Sequence, residues 1–189
     1  MDKKLTIALD LDDTITTFMP TCIETYNKIY KTNHTIDEIT EWEIDGIFEH
    51  CLWSIFAKSD ILENMPLKEG AFNVIKKWHE QGYRIVIVTG VVDLSTFMDK
   101  VQWLSNVELR EYITDIIPTI HKELINADVL IDDNPNYLRN WQIANPNGLT
   151  LLMTAQHNKN KDFTNEFIRV NDWYEIDLLM ECAKERLKK

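Results

Sequence analysis

Five short apolar runs constrain this chain more than any other feature: Leu5–Leu9 (LTIAL), Tyr83–Val88 (YRIVIV), Asp115–Ile117, Val129–Ile131 and Leu149–Met153. Strands covered on both faces read as continuous apolar runs rather than alternating ones, so the pattern predicts a parallel sheet with helices on both sides. The intervening stretches fit that reading. Gly70–Gln81 places Ala71, Val74, Ile75 and Trp78 at helical spacing, and Gly82 supplies a stop. Leu94–Leu104, Asn136–Ile143 and Asp172–Leu187 are the other helix candidates.

About 70 residues separate the first run from the second, too many for one crossover helix. Within them, Thr35–Glu38 has the spacing of a capping box, and Pro20 stands where a helix can begin. Residues 16–65 therefore read as a small helical cap insert, with 1–15 and 66–189 forming one core domain. The expected fold is α/β: a Rossmann-like three-layer sandwich, its five-stranded parallel sheet centred on the first strand.

Polar residues gather at the strand ends. The first run finishes in Asp10-Leu11-Asp12-Asp13-Thr14, the second in Thr89-Gly90, and the fourth in Asp132-Asp133-Asn134-Pro135. Lys122 follows the third run, ten residues before Asp132. Taken singly, each has an ordinary explanation as a turn residue, a strand-end cap or a solvated lysine. Together they mark the carboxyl edge of the sheet, where parallel α/β folds bind their ligands.

This ordered set (DxDxT, then Thr, then Lys, then a DD pair) resembles the haloacid dehalogenase-like phosphohydrolase superfamily. Pro66-Leu67 with Glu69-Gly70-Ala71, Thr154–Asn158, Arg169 and Asp172-Trp173 look like the pyrimidine 5′(3′)-deoxyribonucleotidases within it. The resemblance implies a Mg²⁺-dependent phosphatase in which Asp10 is the nucleophile and Asp12 the general acid and base. It further implies phosphate binding by Thr89, Gly90 and Lys122, and metal binding by Asp10, the Asp12 carbonyl, Asp133 and, less directly, Asp132. Gly90 stands where the mammalian enzymes carry a serine, so only its backbone N–H can serve there. Phe18 matches a phenylalanine that lies against the nucleobase. It comes eight residues after Asp10, where the chain leaves the sheet for the cap and can overhang the crevice. Trp42, also in the insert, is a second candidate wall.

Composition narrows the partners. Twenty Lys+Arg against 31 Asp+Glu give a net charge of −11, which argues against a polymeric nucleic acid ligand but not against a small phosphate ester with a metal ion. Three scattered cysteines fit a reducing compartment, and no apolar stretch has the length of a signal peptide or membrane span, so a cytoplasmic setting is expected. A homodimer is left open. The expected substrate is a deoxyribonucleoside monophosphate; the alternatives are another small phosphate ester or, from a different class, a phosphorylatable receiver module. A receiver takes its phosphoryl group on a separate aspartate two strands after the first acidic pair, and has no insert.

Overall fold

The computed structural model describes residues 4–44, 46–56 and 60–187. Its elements are β1 (Thr6–Leu9), α1 (Phe18–Tyr30), α2 (Ala71–Glu80), β2 (Arg84–Thr89), α3 (Leu94–Asn106), β3 (Asp115–Pro118), β4 (Val129–Asp132), α4 (Pro135–Ala144), β5 (Leu149–Met153), β6 (Ile168–Val170) and α5 (Trp173–Leu187). The strands form one parallel sheet in the order β3-β2-β1-β4-β5-β6. The sheet has six strands rather than the five expected. β6 spans only Ile-Arg-Val at the edge and is fully buried at Val170 alone, so it leaves no apolar run in the sequence.

Alternate side chains divide the core between the two faces. Ile7, Leu9, Ile85, Ile87 and Ile131 join Trp78 of α2, Trp103 of α3 and Trp173 of α5. Ala8, Val86, Val88 and Leu130 face the other way, against Leu138 and Trp141 of α4. The indoles fill volume, and each indole N–H has an acceptor: Trp78 on Asp177 Oδ1 (3.0 Å), Trp103 on the Met65 carbonyl (2.7 Å), Trp141 on that of Ile125 (2.9 Å) and Trp173 on that of Thr14 (3.1 Å). A buried indole left without an acceptor would cost stability, so these bonds fix where each ring can sit.

Between β1 and α2 the chain makes its long excursion. Thr16 and Leu67 pair as an antiparallel bridge, flanked by Thr17 N–H to the Pro66 carbonyl (3.0 Å) and Lys68 N–H to the Ile15 carbonyl (2.8 Å). Inside it, α1 is followed by single helical turns at Ile36–Glu38 and Leu52–Ile55. Thr35 and Glu38 do form the reciprocal cap their spacing predicts, but it closes one turn. Pro20 lies in the first turn of α1, where N–H groups have no helical partner to lose. Residues 45 and 57–59 of the expected insert lie outside the described residues. Among the described residues no helix is long and apolar enough to cross a membrane.

Candidate active site

Strand order brings the predicted polar residues to one edge. Asp10 follows β1, Thr89 ends β2, Lys122 lies in the turn after β3, and Asp132 ends β4 with Asp133 beyond it. Because β1 lies between β2 and β4, Asp10 stands at the centre. Oxygens of Asp10, Asp132 and Asp133, all buried, come within 4.8 Å of one another.

Lys122 binds two of them. Its Nζ donates to Asp10 Oδ1 at 2.5 Å and to Asp132 Oδ2 at 2.6 Å, beneath the Tyr137 ring at 4.9 Å. Burial works against the charged ammonium, yet Asp10 and Asp132 hold its pKa above the ordinary lysine value. Asp132 is fully engaged, since its Oδ1 accepts the Asn134 N–H at 2.8 Å. Burial raises its pKa to about 6, with Lys122 opposing. Asp133 has no ammonium hydrogen-bonded to it among the described residues, and Lys122 opposes its shift only weakly. Burial, then the charges of Asp10, Asp132 and Asp13, push it well above the carboxylate range. Its carbonyl is held by Asn158 Nδ2 at 2.8 Å and His157 Nε2 at 3.1 Å, and Asn158 is in turn fixed by Arg169 Nη1 at 2.8 Å. The Thr154–Asn158 segment and Arg169 thus buttress the acidic cluster from outside.

Asp13 has a structural task. It adopts φ +53°, and both its oxygens accept the Met19 N–H (3.0 and 3.2 Å), so it caps the first turn of α1. Burial raises its pKa to about 7. With Asp13 serving the helix, the carboxylates of Asp10 and Asp12 remain for the crevice.

Two groups of residues escaped the sequence reading. The first is Lys100 on α3, which is buried and donates to Asp12 Oδ2 at 2.6 Å, Thr89 Oγ1 at 2.9 Å and the Gly90 carbonyl at 2.9 Å. The signal was its position three and four residues before the buried Trp103 and Leu104, which sets a lysine in an apolar stripe. Asp12 keeps 30% of its side-chain surface open toward the cavity. It nonetheless lies deep enough that desolvation raises its pKa, Lys100 opposing and Asp10 reinforcing.

The second is the aromatic pair Trp53 and Phe56, which join the expected Phe18 and Trp42. A cavity of about 300 Å³ rises above Asp12, Asp13, Gly90 and Lys100, walled by Phe18, Trp42, Trp53 and Phe56 from the excursion. Its size is at the lower end for small-molecule sites. Phe18, 8% exposed, stacks on Trp53 at 6.3 Å and 25°, and Trp53 stacks on Phe56 at 5.9 Å and 27°. Trp53 remains 42% exposed. Trp42 stands apart, with its ring edge-on to His157 at 4.9 Å and Tyr137 at 6.3 Å. Phe18 and Trp42 therefore share the cavity but not one stack.

Comparison with known proteins agrees with this geometry. A family model described as 5′ nucleotidase, deoxy (pyrimidine), cytosolic type C protein matches residues 3–186. The chain is 30% identical over 191 residues to a 5′(3′)-deoxyribonucleotidase of Clostridium acetobutylicum, covering 98% of this chain and 99% of that one. A 5′(3′)-deoxyribonucleotidase of Bacillus subtilis is 25% identical over 183 residues, covering 92% and 97%. Among solved structures, a HAD family hydrolase of Deinococcus radiodurans with bound phosphate and sodium is similar at TM-score 0.68 and 13% identity, covering 100% of this chain and 99% of that one. A Bacillus subtilis HAD-hydrolase bound to magnesium is similar at TM-score 0.65 and 17% identity, covering 94% and 99%. At those identities the structures speak for the fold.

Proposed function

The chain belongs to the pyrimidine 5′(3′)-deoxyribonucleotidase family and is a phosphoric monoester hydrolase; we propose that it dephosphorylates deoxyribonucleoside monophosphates through Asp10, with Mg²⁺ bound beside it. The observation that supports this most is the meeting of Asp10, Asp12, Thr89, Lys122 and Asp133 at the sheet edge below an aromatic-walled cavity of about 300 Å³. The receiver alternative falls with family membership.

The residues divide the work by their free atoms. Lys122 occupies Asp10 Oδ1, so Oδ2 is the oxygen left to attack phosphorus, and the same ammonium offsets charge developing on the phosphoryl group. Asp12 donates a proton to the departing oxygen and then takes one from the water that opens the aspartyl phosphate. The Thr89 hydroxyl accepts from Lys100 and donates to the Gly90 carbonyl over a long 3.4 Å, a contact it would exchange for a phosphoryl oxygen, joined by the Gly90 N–H.

The donor set suits a hard divalent cation. Asp10, Asp12, Asp13, Asp132 and Asp133 face three nearby ammonium groups, Lys68, Lys100 and Lys122, and the candidate ligands are all oxygen. Asp10, Asp133 and the Asp12 carbonyl would hold Mg²⁺, while Asp132, with both oxygens already accepting hydrogen bonds, would orient the set. The ion would supply positive charge that lets a phosphate dianion enter among carboxylates.

Phosphate release from a panel of deoxyribo- and ribonucleoside monophosphates, with Mg²⁺ or with EDTA, tests the reading. Deoxyribonucleotides should be turned over fastest, and both EDTA and Asp10→Asn should abolish release. Activity that survives EDTA would overturn the metal assignment, and turnover by Asp10→Asn would overturn the nucleophile.

A further inference from the structure

We propose that Lys100 is the positioning residue for the acid–base step: braced on Thr89 and the Gly90 carbonyl, it clamps Asp12 by one oxygen and so sets the orientation in which that carboxyl gives and takes its proton. The inference rests on the assignment of Asp10 and Asp12 above and adds a residue to it.

The geometry is specific. An ammonium has three hydrogens, and Lys100 Nζ has three acceptors: Asp12 Oδ2 at 2.6 Å, Thr89 Oγ1 at 2.9 Å and the Gly90 carbonyl at 2.9 Å. With all three hydrogens committed, Lys100 does not itself hold a phosphoryl oxygen. Lys122 differs, because two carboxylates take only two of its hydrogens. The two buried lysines thus divide the site: Lys122 serves the residue that attacks, Lys100 the residue that moves protons.

Lys100 is also anchored rather than tethered. It lies one turn before Trp103, whose indole N–H is fixed on the Met65 carbonyl, so α3 cannot slide without breaking a buried bond. Binding Asp12 through Oδ2 leaves Oδ1 to face the leaving oxygen. In the first half-reaction Asp10 Oδ2 bonds to phosphorus and the ester P–O bond breaks. Its electron pair stays on the leaving oxygen, which takes the Asp12 proton. In the second, a water oxygen bonds to phosphorus, the P–O bond to Asp10 breaks with its pair returning to that carboxylate, and Asp12 takes the water proton. Both transfers need the Asp12 carboxyl in one orientation, and reaction rates fall steeply when such a group is displaced by about 1 Å.

The test exploits leaving-group basicity. A deoxyribose alkoxide needs a proton to depart, whereas p-nitrophenolate does not. Lys100→Met should lower kcat/KM for a deoxyribonucleoside monophosphate by about 10²–10⁴-fold, the range for lost general acid–base catalysis. The kcat/KM for p-nitrophenyl phosphate, which reports only steps up to phenolate departure, should fall by less than about 10-fold. Phosphoenzyme should then accumulate, seen as a burst of phenolate. In the double variant Asp12→Asn/Lys100→Met, nucleotide turnover should be no worse than in Asp12→Asn alone, since the two act as a unit. Equal losses on both esters, additive losses in the double variant, or no loss at all would each overturn the proposal. Should Lys100→Met fail to fold, Lys100→Gln carries the same comparison with a neutral donor. If the wild-type protein releases phosphate from neither ester, the reading of the site fails instead, and the two failures are distinguishable.

Discussion

Trp53 and Phe18 sit 6.3 Å apart in one stack, yet they are not equivalent as base platforms. Phe18 is 8% exposed and wedged against Phe56, so removing it disturbs packing as well as binding. Trp53 keeps 42% of its surface open at the cavity wall, so more of its ring can meet a ligand than Phe18 can offer. Base stacking on an aromatic side chain is worth about 1–3 kcal/mol by alanine substitution. Trp53→Ala should therefore lower kcat/KM for a deoxyribonucleoside monophosphate by about 5- to 150-fold, the equivalent of that energy. Steady-state kinetics on glycerol phosphate should be nearly unchanged. A matched loss on both substrates would mean that Trp53 only packs the excursion. Phe18 was legible in the sequence because it follows Asp10 closely along the chain. Trp53 was not, because 43 residues separate it from Asp10 and only folding brings it to the crevice. Lys100 was hidden for the same reason: a lysine in an apolar stripe does not declare what it reaches.

At the scale of elements, His34 pins three pieces of the excursion together. Its Nδ1 contacts Glu38 Oε2 at 2.8 Å and its Nε2 contacts Glu49 Oε2 at 2.9 Å, while its backbone is held by Asn27 at both N–H and carbonyl. Two carboxylates on two ring nitrogens require both nitrogens to donate, which only the imidazolium does. Hydrogen bonds to Glu38 and then Glu49 raise the His34 pKa in the folded state. Stability from this contact is therefore fully present below the ordinary histidine value near 6.5 and is lost as pH rises through the raised value. Thermal melting followed across that window should show Tm falling with rising pH, with a shallower fall in His34→Gln. Parallel slopes would remove His34 from the account. The capping spacing at Thr35–Glu38 was readable in advance, but its partners at Glu49 and Asn27 were not. Similarly, the four inner strands announced themselves through burial on both faces and the edge strand β3 through its Ile116-Ile117 pair, whereas β6 has one buried residue and gave no signal.

Over the whole molecule the net charge is −11, and at the site carboxylates outnumber the ammonium groups facing them. Three buried carboxylates converge, and Lys122 is the ammonium hydrogen-bonded to two of them. A cation that binds only the folded state stabilises by mass action, about 2.7 kcal/mol at 100 times its Kd. At about 2–4 °C per kcal/mol for a domain of this size, saturating Mg²⁺ should raise Tm by about 5–11 °C. Differential scanning calorimetry with and without EDTA would measure it, and Asp133→Ala should abolish the rise. An unchanged wild-type Tm would remove the cation from the site. That the cluster forms at all was evident from the strand-end aspartates, because a parallel sheet has only one carboxyl edge. Which oxygens are already occupied depends on Lys122 and Asn134 and needed the folded chain.

The isolated bridge between Thr16 and Leu67 has an evolutionary corollary. Because the chain departs and returns through two hydrogen-bonded neighbours, a segment exchanged between them would meet the same fixed socket. Recombination at those two positions would swap the aromatic wall while leaving Asp10, Lys122 and Asp133 in register, since all three are set by the sheet. A lineage could in this way change which phosphate ester it accepts by trading one segment of DNA, with its chemistry inherited intact.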